Sequence, residues 1–212
     1  MGWTQPLDEG AERRLARLAD LGERAITVIL FSALALRIAP ALGGAPWDLA
    51  ILIPEGLATL FMILRRRPTN VSTRPLDWLV ALVGVQTPLL VAPGGTSLVL
   101  PGFGVGVLLT GVFLSVWGKL TLRRSFGLAA AHRGLVQGGP YTLLRHPIYA
   151  GYVVSYVAFW LLNPTAYNLA VYVLAIGMIL ARIAAEERLL SADPLYTAFI
   201  HKVRWRLAPG LY

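Results

Sequence analysis

The chain has no cysteine, which excludes disulfides, thiolate nucleophiles and cysteine metal sites. It is also poor in charge: Asp, Glu, Lys and Arg make up 14% of its 212 residues, against 56% hydrophobic and a mean hydropathy of +0.63. That composition excludes an ordinary water-soluble domain. No run alternates polar and apolar residues as a barrel strand does. The phosphate-loop, HExxH and GxSxG signatures are missing. Gly102, Gly104 and Gly106 form a GxGxG pattern inside an apolar segment with no strand before it, so they read as close helix packing and not as a dinucleotide fingerprint. His132, His146 and His201 are too scattered to suggest zinc, and no metal is expected.

What is present is a set of apolar runs near the ~20 residues that cross a hydrocarbon core. Backbone groups in lipid must be satisfied within the segment, so these runs are helices. The expected fold is all-α and polytopic, with about six transmembrane helices in a single membrane domain. Spans are predicted at about 25–42, 47–64, 76–92, 98–120, 147–163 and 167–182, the last continuing as a polar helix to Leu190. Gly43 to Pro46 and Pro93 to Gly95 supply turns. Pro147 suits the first turn of the fifth helix, and the connection of about 25 residues before it is long enough to suggest function.

Charge gives the orientation. Loops after the first, third and fifth spans carry no Lys or Arg, whereas Arg65, Arg66, Arg67, Arg74, Arg123, Arg124, Arg133 and Arg145 fall in the others. The positive-inside rule therefore predicts an integral membrane protein of a bacterial inner membrane or its equivalent, with both termini cytoplasmic. The same distribution accounts for the net charge of +8 without a nucleic-acid partner. Residues 1–22 read as an amphipathic cytoplasmic lead-in lying on the membrane surface, with Leu15, Leu18 and Leu21 on one stripe. Within the spans, Arg37 and Glu55 reach similar depth from opposite sides, which predicts an ion pair between them.

The residues able to carry chemistry gather on the cytoplasmic side, where Gly138 to Tyr152 read GGPYTLLRHPIYAGY. Arg145 and His146 stand at the start of the fifth helix, a place that favours anions. Tyr149, Tyr152 and Tyr156 follow on one face; the first two read as ligand contacts and the third as packing. Arg182 and Glu186 share a face at the end of the sixth span, beside Glu187. The tail, with Asp193, Pro194, Tyr196, Phe199, His201, Arg204, Trp205 and Arg206, is too polar to insert. It is expected to fold back over Arg145 and His146.

In this order, Arg124-Ser125-Phe126, Gly139-Pro140-Tyr141, Arg145-His146-Pro147 with Tyr149 and Gly151, Glu186-Glu187, Asp193-Pro194 with Tyr196, and Arg204, Arg206 and Pro209 resemble the isoprenylcysteine carboxyl methyltransferase superfamily, which includes the phospholipid N-methyltransferases. The resemblance runs from about Leu122 to Tyr212. It implies a methyltransferase core over 121–212, with 23–120 as scaffold and substrate entrance. It also implies S-adenosylmethionine in a cytoplasmic pocket roofed by the tail, and a lipophilic acceptor entering from the bilayer. Gly139, Pro140, Tyr141, Arg145, His146, Tyr149, Tyr152, Glu186 and Tyr196 would then lie on the cofactor side. Arg182, Glu186, Glu187 and Arg204 would be the catalytic or orienting groups. Two alternatives stay open from the residues alone: an NADPH-dependent membrane sterol-type reductase, and a non-enzymatic lipid-binding protein.

Overall fold

A computed structural model of the protein describes residues 9–64, 80, 83–84, 86–122, 137–191 and 193–210. Every regular element among them is helical. Helix α1 spans Glu9–Ile38, α2 Leu52–Leu64, α3 Pro101–Leu122, α4 Pro147–Leu162, α5 Ala166–Leu190 and α6 Pro194–Lys202. Three-ten turns at Ala39–Gly43 and Pro46–Ile51 join α1 to α2, and another, Thr87–Leu90, precedes the extended run into α3.

Among the described residues, four segments are long and apolar enough to cross a membrane: Asp20–Gly43, Pro46–Leu64, Pro101–Leu122 and Ala166–Arg188. Helix α4 is a shorter apolar helix of 16 residues. The protein is thus an all-α integral membrane protein, and its boundaries fall close to those expected for five of the six spans. Seven of the 17 residues of the expected third span, 76–92, lie outside the described residues, as do Arg124-Ser125-Phe126 and the basic loop around them. The lead-in from Glu9 onward and the first span form one unbroken helix, Glu9–Ile38, with no proline inside it; residues 1–8 of the lead-in lie outside the described residues.

Helices α3 and α4 make the most extensive contact between elements, and small residues are the reason. A Cβ on Gly111 would lie 2.6 Å from the Ser155 nitrogen, and one on Gly151 2.4 Å from the Ser115 nitrogen. Gly104 and Gly118 make comparable close contacts with Leu162 and Ile148. Gly104, Gly111 and Gly118 recur every seven residues and keep one face of α3 free of side chains, so the backbones approach closely. Of the GxGxG glycines, Gly104 packs in this way; a Cβ on Gly102 or Gly106 would meet nothing within 4 Å among the described residues. The buried core lines the inner faces of α1 to α5, with Leu34, Leu89, Leu108, Phe159, Ala175 and Ile183 among its members.

The far end of the bundle, away from the tail, is fastened by polar side chains. Asn163 donates to Asp48 at 2.9 Å and accepts from the Gly94 nitrogen at 3.0 Å, while Asn168 clamps both backbone groups of Ala92. Arg37 does not pair with Glu55. Its guanidinium donates to the carbonyls of Leu89, Leu90 and Val91, where a three-ten turn ends and leaves acceptors without partners. Five N–H groups in a fixed fork suit such a row of carbonyls. Glu55 faces the other way, toward Lys119 of α3 and the Tyr156 hydroxyl of α4.

Candidate active site

The site forms where α5 ends, α4 begins and the tail returns. Asp193 caps α6 by accepting from the Leu195 nitrogen at 2.8 Å, and Pro194 occupies the first turn. Tyr196, Phe199 and Val203 then bury one side of the short helix against Leu190 and Ile200. Beyond it the chain runs extended beside the start of α4. The backbone nitrogens of Arg145 and His146 donate to the carbonyls of Trp205 and Arg206 at 2.9 and 3.0 Å. The tail is therefore laid across the Arg145-His146 loop, as expected.

Side chains reinforce the docking around the buried carboxylate of Glu187. One of its oxygens receives Arg145 at 2.8 Å and His146 Nε2 at 3.2 Å; the other receives Arg206 through two nitrogens at 2.8 and 2.7 Å. A carboxylate held by two guanidiniums and an imidazole is fully engaged.

Glu186 has different surroundings. The Tyr149 hydroxyl donates to it at 2.5 Å, Arg182 stands 3.6 Å away and His146 Nδ1 3.8 Å away. The Tyr149 ring is stacked against His146 with centroids 5.7 Å apart, and the Arg182 guanidinium lies 5.4 Å from its centre. Burial, with the Glu186 charge adding to it, pushes the Tyr141 phenol well above its ordinary value. Burial, together with Glu187, pushes Tyr196 up to about 12. Both phenols thus stay protonated and able to donate.

Tyr141, Arg145, His146, Tyr149, Arg182, Glu186, Glu187 and Tyr196 are brought together. Gly139 and Pro140 deliver Tyr141: at φ +57° Gly139 is in the left-handed region, and a Cβ there would meet the Thr121 hydroxyl at 2.9 Å. Tyr152 lies one turn deeper than Tyr149, beneath Lys119. Arg204 is exposed, and it is its carbonyl that accepts from Arg145, at 3.1 Å; Arg206 supplies the guanidinium to the cluster. Lys119 escaped the sequence reading. As one of two lysines in the chain, three residues from the end of an apolar helix, it resembles a solvated helix end, yet it is fully buried.

Residues 100–193 match the phospholipid methyltransferase family. Within this membrane protein that segment is similar to the phospholipid methyltransferases, in line with the resemblance read from its motifs. The matched segment begins at α3, holds α4 and α5, and stops at Asp193, where the tail starts. No curated protein matches the chain.

Proposed function

We propose that the protein transfers a methyl group from S-adenosylmethionine to a lipophilic acceptor taken from the bilayer, at a cytoplasmic face on which both termini lie. The observation that carries this reading is the docking of the tail, through Glu187, over a Tyr149–Glu186–Arg182 cluster inside the methyltransferase segment. The groups present suit the cofactor. Carboxylates can take its ammonium, guanidiniums its carboxylate, and tyrosine and histidine rings its flat and cationic parts. When bound, S-adenosylmethionine supplies a methyl group activated on a sulfonium.

The chain's own contribution is positioning. Glu186 and Tyr149 would hold the ammonium, Arg182 the carboxylate, and neutral Tyr141 would donate a hydrogen bond beside them. The tail would keep water away, and alignment of this kind is worth several kcal/mol. Glu187 is committed to Arg145 and Arg206, so Glu186 is the carboxylate free to take a proton from the acceptor. Orientation rests on the basic loops.

The test is incubation of the protein in lipid nanodiscs with S-adenosylmethionine tritiated on the methyl, followed by counting of the extracted lipid. Label that Glu186→Gln abolishes is expected. Label that is equal in wild type and Glu186→Gln would remove Glu186 from the site, and no label with any membrane extract would count against methyl transfer.

A further inference from the structure

A second charged cluster lies deeper in the bundle. Lys119 is three residues from the end of α3, where a lysine ordinarily reaches out to water. Side chains tilt toward the N-terminus of their helix, and Lys119 points inward instead, fully buried, donating to the Pro54 carbonyl. Glu55, next to Pro54 in the chain and 4% exposed, is the opposite charge nearby, and it accepts from the Tyr156 hydroxyl at 3.4 Å. The Lys119 ammonium sits 4.5 Å from the centre of the Tyr152 ring. Tyr152 stacks on Tyr156 at 5.5 Å, and Tyr156 on Tyr172 at 4.7 Å. The Tyr172 hydroxyl, on a side chain only 3% exposed, has no hydrogen-bond partner among the described residues. Tyr152 joins the two clusters, because it lies under Lys119 and one helical turn from Tyr149 on the same helix.

Two opposite charges buried at this depth are costly, and well-packed apolar residues would serve stability as well or better. Intramembrane charges of this kind usually mark a substrate path. Among the described residues of this cluster, one cation and one anion sum to no net charge, so a group of net charge entering here would have no counter-ion left to meet it. A neutral donor–acceptor group would meet an unpartnered phenol. Resting on the methyl-transfer reading, we infer that Glu55, Lys119 and the tyrosines stacked on them form the acceptor end of the site. Its ligand there is a lipophile bearing an uncharged hydroxyl-type group, and not a phosphate or ammonium head.

Three photoreactive alkyl diazirines with the same chain, ending in a hydroxyl, a phosphate or an ammonium, test this on the full-length protein in nanodiscs. Crosslinks are mapped by mass spectrometry. The hydroxyl probe is expected to label the Tyr152–Tyr172 region at least about ten-fold more than either charged probe, the discrimination a buried uncompensated charge imposes. Tyr172→Phe removes only the unpartnered hydroxyl and should lower that labelling several-fold without shifting the melting temperature. Combined Glu55→Gln and Lys119→Met, which leaves neither charge alone, should let it fall to the level of the lipid-facing surface. Equal or stronger labelling by a charged probe, or labelling that Tyr172→Phe leaves unchanged, overturns the inference. S-adenosylhomocysteine titrated into the same sample reports on the donor site separately, so loss of one reading is not mistaken for loss of the other.

Discussion

Glu186 and Glu187 are neighbours in sequence, and the fold gives them opposite work. Glu187 spends its oxygens on Arg145, His146 and Arg206, so Glu187→Gln should lower stability by roughly 1–3 kcal/mol, seen as a fall in melting temperature and release of the tail to protease. Glu186→Gln should leave the melting temperature nearly unchanged and reduce methyl transfer by about 100-fold or more, the usual scale for a general base. The reverse pattern would exchange their roles. His146→Ala should weaken S-adenosylhomocysteine binding about ten-fold, since it removes both the Tyr149 stack and a Glu187 contact; an unchanged dissociation constant would take His146 out of the site. The grouping of these residues was legible because all stand at helix ends next to polar connections. What separates Glu186 from Glu187 was not, since it depends on Arg206 arriving from 19 residues further on.

Among the elements, α3 and α4 are tied by their glycines and the tail by its docking. Gly151→Leu places a side chain where backbone atoms of α3 already stand. Overpacking there should cost about 1–3 kcal/mol or more, measured as lost thermal stability, whereas Gly106→Leu, which meets open space, should be tolerated. Removal of 193–212 should abolish binding of S-adenosylhomocysteine while the helices stay folded by circular dichroism; retained binding would sever the tail from the site. Hydropathy made the spans legible, because the cost of unpaired backbone in lipid leaves only long apolar helices. Depth arithmetic paired Arg37 with Glu55 wrongly. It placed both residues along their helix axes and could not see that a three-ten turn offers Arg37 a row of carbonyls, or that Lys119 reaches Glu55 from a third helix.

The whole molecule divides its polar groups by position. One set, around Asp48, Asn163 and Arg37, fastens the end away from the tail; another, around Glu187, fastens the tail; between them lie the tyrosines that connect Glu186 to Glu55. The motifs from about Leu122 onward carried the family likeness, and the match over 100–193 extends it back to the start of α3. Glu55 lies outside the matched segment and could not be assigned from it. The account stands or falls on what binds beneath the tail. The direct measurement is calorimetric titration of the detergent-purified, folded protein with S-adenosylhomocysteine, with NADPH run in parallel. Saturable binding of S-adenosylhomocysteine alone is predicted. Binding of NADPH alone, or of neither, would contradict the account.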